Sequence, residues 1–447
     1  MADLQQLAQK MLAAATRAGA GAADAIVIEG DSLSIEVANG ALEHAERAEG
    51  IDLGLRVLIG QRSAVVSVSD ASEATIAEMA ERAVAMAKAA PEDPHVGLAR
   101  ADQLSDIRNA EGLELADDAA PKSPEALKDM ALEAEAAALA VRGVNKVDSA
   151  GASFSETRIH LAASNGFSGG YRRSSTGLYC TAISGEGLEM ERDFKGESRI
   201  FAADLPDADE IGRIAGERAV ALKGASKPPS GAYPVLFDQR VSSSLIGHLV
   251  AAINGRGIAR GVSWLKSAMG ERVLPEGMDL VEDPFRKRVS GSKPFDAEGL
   301  AVSRRAWVEN GVLKSWVLDL ATARQLGLQS TGNAARGAGG APGPSVGNLT
   351  LTAGDKSREA LLAEMGTGLL ITSMIGSSIN PNTGEYSRGA SGFWVENGQI
   401  IRPVNECTVA GNLREMLGGM LAANDGKAHQ SRVVPSLLVE GLTLAGA

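Results

Sequence analysis

Seven residues near the middle of the chain, Ala225-Ser-Lys-Pro-Pro-Ser-Gly231, constrain the fold more than any other feature. Pro228 and Pro229 have no amide hydrogen to give and stiffen the segment, while the Ser and Gly flanks loosen its ends. A chain of 447 residues also exceeds what one hydrophobic core organises. The break therefore predicts two domains, 1–224 and 232–447, joined by a linker at 225–231.

Before the break, apolar residues change period. Leu4, Leu7, Ala8, Met11, Leu12 and Ala15 form one helical stripe over 4–18. Short strand-like runs follow at 25–29, 33–37, 51–59 and 63–69, with Asn39-Gly40 as a hairpin turn because both residues tolerate positive φ. Asp70-x-x-Glu73 reads as a capping box for a helix reaching residue 89. Ser123-Pro124-Glu125 opens another helix, with a cap, a proline at the first position and a carboxylate on the positive dipole end. Strands return over 153–183, turned at Asn165-Gly166, and Asp207-x-x-Glu210 caps a helix ending near Gly224.

The second half is glycine-rich and strand-like. It repeats a phrase, Trp307-Val-Glu-Asn-Gly311 and Trp394-Val-Glu-Asn-Gly398. The echo means either one sheet system using the same turn twice or convergence on good turn chemistry. The segment 332–347 lacks a GxxxxGK[ST] or strand–GxGxxG–helix context, so it reads as a flexible surface or lid loop rather than a phosphate cradle. Periodicity thus points to an α+β fold, a sheet-and-helix domain followed by a strand-rich one.

Composition removes several function classes. The formal charge of −12 opposes a phosphate backbone, and the Arg172-Arg173, Arg286-Lys287-Arg288 and Arg304-Arg305 clusters are too short to reverse it. They read as solvated faces, and direct nucleic-acid binding is not expected. Two distant cysteines, Cys180 and Cys407, make neither a disulfide framework nor a zinc ribbon. No run of 18 apolar residues appears, and the first residues read as an amphipathic helix rather than a signal peptide, so the expected location is the cytoplasm.

No catalytic apparatus is written locally. His44, His95, His160, His248 and His429 are too dispersed to share a helix face. Ser242, Ser243 and Ser244 lack a GxSxG elbow or SxxK motif and read as a polar helical turn capping its own amides. Cys407 reads as a buried structural thiol. The turn Asn380-Pro-Asn-Thr-Gly-Glu-Tyr-Ser387 has two readings: a loop satisfying its own backbone, or a peptide groove lined by Asn380, Thr383, Glu385, Tyr386 and Ser387.

The chain resembles the TldD/PmbA (TldE) peptidases. The residues that carry the resemblance are Phe295-Asp-Ala-Glu-Gly299, the 380–387 turn, Gly389-Ala-Ser-Gly-Phe-Trp394 running on to Gly398, Pro403-Val-Asn-Glu-Cys-Thr-Val-Ala-Gly-Asn-Leu413 and Val434-Pro-Ser-Leu-Leu-Val-Glu-Gly-Leu442. The family's TldD type carries an HExxxH zinc motif and a cysteine ligand, and its PmbA/TldE type lacks them. By that resemblance Ser243-Ser-Leu-Ile-Gly-His248 occupies the HExxxH slot, with Ser243 and Ser244 replacing histidine and glutamate, and Asp425 replaces the cysteine. Serine hydroxyls substitute poorly for imidazole at zinc, and Ser244 cannot act as the carboxylate base.

The resemblance implies a metal-free, non-catalytic subunit paired with a TldD-type zinc subunit as a heterodimer. Zinc is expected in that partner, with no cofactor in this chain. The complex would act on extended peptides, such as microcin-type precursors or labile antitoxin; the family's older name, modulator of DNA gyrase, would record an indirect link. Two alternatives stay open: an autonomous metallopeptidase using distant residues such as His248, His429 and Asp425, and a homomeric peptide-binding adaptor.

Overall fold

The computed structural model describes residues 3–119 and 121–446. Its first sheet starts from a long hairpin, β1 (Ala22–Ala38) and β2 (Ala41–Ile59), turned at Asn39 and Gly40 with φ of 54° and 71°. The short runs expected at 25–29 and 33–37 are one strand, because the polar residues between them pair through their backbones in unbroken register. A ladder needs no apolar side chain to continue, so periodicity underestimates such strands. β3 (Arg62–Val68), β4 (Val144–Ala163), β5 (Ser168–Ser184) and β6 (Glu191–Arg199) complete an antiparallel sheet ordered β3-β2-β1-β4-β5-β6.

Four helices pack on this sheet. α1 (Leu4–Ala18) and α2 (Glu73–Ala89) bury their stripes on Ala25, Val27, Leu53, Leu55 and Val57. α3 (Pro124–Ala140) and α4 (Ala208–Ala221) cover Ile35, Val37, Ala150, Ala152, Cys180 and Ala182. Alanine-rich faces let helices approach closely, and a side chain at Gly212 would run into the backbone of Ala134. That is how a chain with 4% aromatics still fills its cores.

Two caps differ from expectation. Ser72, not Asp70, is the N-cap of α2, its Oγ accepting from the Thr75 amide at 3.3 Å; Asp70 accepts from the Ser72 amide at 3.0 Å. Glu73 pairs with Lys10 at 2.9 Å instead of reaching back. Asp207 stands at the N-cap of α4, but its side chain makes no capping bond.

After residue 231 a second sheet is ordered β16-β15-β14-β7-β19-β17. Its strands are β7 (Gly231–Phe237), β14 (Gly368–Ile379), β15 (Glu385–Glu396), β16 (Gln399–Asn412), β17 (Leu421–Ala422) and β19 (Leu437–Ala445). β19 also pairs with β16 through Thr408 and Ala445, so five of the strands close on themselves. The helix α5 (Gln239–Ala252) packs against this ring through Leu245, Ile246 and Leu249. A smaller sheet holds β8 (Leu280–Glu282), β9 (Arg305–Glu309), β10 (Val312–Leu313), β13 (Leu349–Leu351) and β18 (Arg432–Val433). The fold is α+β, and among the described residues no helix is long and apolar enough to cross a membrane.

The repeated phrase makes the same turn twice, Asn310-Gly311 with φ of 48° and 77° and Asn397-Gly398 with 51° and 74°. The two hairpins lie in different sheets, β9–β10 and β15–β16, so the echo is shared turn chemistry, not one sheet system. The 332–347 segment is not a free lid. Its ribbon, β11 (Ala334–Ala335) and β12 (Gly343–Pro344), brings Arg336 to Asp24 with the Arg336 side chain fully buried. Ala338 lies so close over Gly54 that a side chain there would overlap its backbone. The 225–231 segment is also tied down: Arg402 donates to Ser226 Oγ at 2.5 Å and to the Lys227 carbonyl at 3.1 Å.

Candidate functional site

A cavity of about 840 Å³ opens where β4, β5 and the edge strand β6 meet the first turn of α5 and residues 429–432. Its floor is small and polar. Ser153, Ser155 and Thr157 come from β4, Ser175 and Gly177 from β5, and Gly196 and Ser198 from β6. Strand register sets Ser153 beside Gly177 and Gly177 beside Ser198, so no large side chain fills the space above them. Phe194, 61% exposed, stands at the rim.

The walls carry charge. Glu197 accepts from Lys195 and, at 2.6 Å, from Arg199. Burial alone would raise this carboxyl, but the two hydrogen bonds outweigh it and hold the group down at about 2. His429 Nε2 lies 3.4 Å from Glu197. Burial and the Arg199 charge push the imidazole below its usual value, so near neutral pH this is a contact of a neutral ring rather than an ion pair. Arg240 bridges the two halves to Asp193 at 3.0 Å.

Of the residues in the α5 slot, Ser243 lines this cavity. Ser244 Oγ donates to the Val241 carbonyl at 2.7 Å. Ser242 Oγ donates to the carbonyls of Gln239 and Val434, so these hydroxyls serve carbonyl groups and not, as expected, their own amides. The amides are capped by Asp238, which accepts from Arg240, and by Ser436, whose Oγ accepts from Gln239 at 3.0 Å. Asp425 stands behind that cap. It accepts from the Ser436 amide at 2.7 Å and its hydroxyl at 2.6 Å.

His248 turns into the core, edge-on to Tyr386 at 5.8 Å, and its buried Nε2 has no partner. Burial and Arg388 lower its basicity. His248, His429 and Asp425 thus answer to three different surroundings. Among the described residues no three His, Cys, Asp or Glu side chains gather as a metal-ligand set. The donors the resemblance assigns to the zinc slot, two hydroxyls and a half-buried imidazole on α5 and the Asp425 carboxylate engaged with Ser436, do not fit zinc.

The 380–387 residues form the tip of the β14–β15 hairpin. The Asn380 amide donates to the Glu385 carbonyl, Asn380 Nδ2 to Glu385 Oε2 at 3.4 Å, and the Glu385 amide to Thr383 Oγ1. Ser387 pairs with Ser378 across the hairpin. Tyr386 is 2% exposed, donates to the Met374 sulfur at 3.3 Å, and is pushed up to about 12 by burial. None of the five lines the cavity. Cys407 is buried against the Ala390 carbonyl and is pushed up to about 11, as a structural thiol requires.

Two of the basic clusters, exposed in part as expected, also join the halves. Arg173 donates to the carbonyls of Ser290 and Ser292, and Arg288 pairs with Glu114 at 2.6 Å and lies 3.9 Å over the Phe201 ring. No motif in the sequence marks the cavity. Its signal was the alternation Ser153-x-Ser155-x-Thr157, small polar residues where a strand face usually carries core or long solvated side chains.

Comparison with known proteins agrees along the whole chain. Three family models match: the PmbA/TldA metallopeptidase domain 1 over residues 23–87, the central domain over 117–223 and the C-terminal domain over 230–446. The Haemophilus influenzae metalloprotease PmbA homolog is 35% identical over 99% of this chain and 96% of its own length. Escherichia coli O157:H7 metalloprotease PmbA is 32% identical over 95% of this chain and 92% of its own length. A solved structure of a proposed modulator of DNA gyrase from Bacteroides thetaiotaomicron superposes with a TM-score of 0.90 at 26% identity, covering 99% of both chains. TldE from Thermococcus kodakarensis shares the fold, with a TM-score of 0.83 over 98% of this chain and all of its own. This chain belongs to the PmbA/TldD metallopeptidase family.

Proposed function

We propose that the chain is the PmbA/TldE-type subunit of a zinc metallopeptidase complex, without a metal of its own, and that its cavity receives an extended stretch of peptide. What supports the first part is the chemistry of α5: Ser243 and Ser244 offer only hydroxyls where the resemblance puts the metal type's histidine and glutamate, Ser244 is engaged with the Val241 carbonyl, and Asp425 is engaged with Ser436. Neutral hydroxyls bind zinc weakly and take no proton from a bound water. The second part is supported by the cavity beside β6, which ends its sheet, so that among the described residues one of its edges is not paired to a neighbouring strand.

The reaction would then belong to the partner, and this chain would position substrate. Its contribution is main-chain contact along β6, small residues that leave room for a backbone, and charges at fixed places on the wall. The test is co-purification with a TldD-type chain and a metal assay on the eluate. We expect a stable complex holding one zinc per TldD-type chain, and substoichiometric zinc in this protein purified alone. One zinc per chain together with proteolysis by this protein alone would overturn the proposal.

A further inference from the structure

The charge of the cavity is opposite to that of the molecule. The chain carries a formal −12, yet five arginines and a single carboxylate line this space. Two of the arginines are neutralised from outside it, Arg240 by Asp193 and Asp238, and Arg288 by Glu114 and Asp204. The other three are not. Arg199 shares Glu197 with Lys195, leaving one positive charge over. Arg173 donates only to neutral carbonyl oxygens. Arg432 is exposed on β18, and its guanidinium has no hydrogen-bond or ion-pair partner among the described residues.

An unpaired guanidinium facing a cavity with low-dielectric walls focuses its field into that space. Guanidinium groups favour carboxylates, which they hold bidentately. The floor adds hydroxyls and glycine, which suit a peptide backbone. We infer that the cavity selects extended peptides bearing carboxylates, with Arg432 and Arg173 as its principal specificity residues. This rests on the reading of the cavity as a peptide site. The carboxylates could come from acidic side chains or from a free C-terminus, and both present the same anion to the wall.

The test uses the full chain and fluorescence anisotropy with four labelled decapeptides. Three are C-terminally amidated, alternating Ser with Glu, Gln or Lys; the fourth is the Ser/Gln peptide with a free C-terminus. At low ionic strength the Glu peptide should bind about tenfold more tightly than the amidated Gln peptide, and the advantage should collapse at high salt. Within each of the variants Arg432→Gln and Arg173→Gln, the ratio of Glu-peptide to Gln-peptide affinity should fall severalfold. Arg432 is exposed, so its variant carries no folding risk of note. A gain confined to the free-acid Gln peptide would support the inference with the terminus as the source. Equal affinity for the amidated Glu and Gln peptides, with no gain from the free acid, would overturn it while leaving the peptide site standing. Binding of none of the four would sink the peptide site itself.

Discussion

At Asp24 the first sheet meets the second half of the chain in a sealed contact. Arg56 and Arg336 both reach this one carboxylate, all three side chains are almost fully buried, and Phe167 and Phe295 pack edge-to-face nearby at 4.9 Å. Along β4 to β6 the same sheet meets the same half across an open cavity, where arginines face space. Identical side-chain chemistry serves opposite ends. Buried beside a carboxylate, Arg336 fastens the halves; Arg432, left without one at the cavity wall, is available to a ligand. The difference lies in what stands across from the guanidinium.

The largest test of this contrast is Asp24→Asn, which keeps the shape and removes the shared charge. Leaving two buried guanidinium groups uncompensated should cost roughly 3–5 kcal/mol, read by urea unfolding. Burial raises the Asp24 carboxyl, but Arg336 and Arg56 together pull it below its ordinary value, so the ionised form is the one lost. A cost under about 1 kcal/mol, the range of an exposed pair, would erase the distinction between the two contacts.

A second test lies at the rear of the sealed contact. Glu298 accepts from the Leu320 amide at 2.9 Å, and burial and the neighbouring Asp296 charge hold its carboxyl up at about 8. Unfolded, it ionises near its ordinary 4.5. Between those values the folded chain keeps a proton that the unfolded chain releases, so stability falls as pH rises through this window. Glu298→Gln keeps the acceptor and removes the titration. It should leave stability near pH 4.5 unchanged and raise it on the order of 2 kcal/mol above pH 8, the coupling to Asp296 reducing the full effect. A gain equal at both pH values would mean packing, not protonation, is responsible.

The smallest expected change is on the cavity side. Ser243→Ala removes a hydroxyl from the cavity wall and should shift stability by no more than about 0.5 kcal/mol in a thermal melt. A loss several times larger would show that Ser243 carries structure, and that the open contact is more committed than its geometry indicates.

Much of the first half was readable in order. Ser123-Pro124-Glu125 caps its helix as expected, with Ser123 Oγ accepting from the Ala126 amide at 3.2 Å, and the Asn-Gly turns stand where they were read. These are local effects, settled within four or five residues by φ preferences and orphan amides. Strand lengths were not readable, since the exposed residues 41–50 of β2 have no apolar alternation and are held by pairing with β1.

The α5 slot is the sharper case. That Ser243 and Ser244 cannot do the work of histidine and glutamate follows from residue identity alone, in whatever fold they occur. That Asp425 is engaged by Ser436, that Tyr386 belongs to the core and that 332–347 docks instead of moving were decided by partners distant in sequence. The same holds for the cavity. A hydroxyl on a strand and an arginine in a loop have no meaning as a site until chain closure sets them face to face. Residue chemistry is a local property, while burial and charge compensation depend on what the rest of the fold brings opposite.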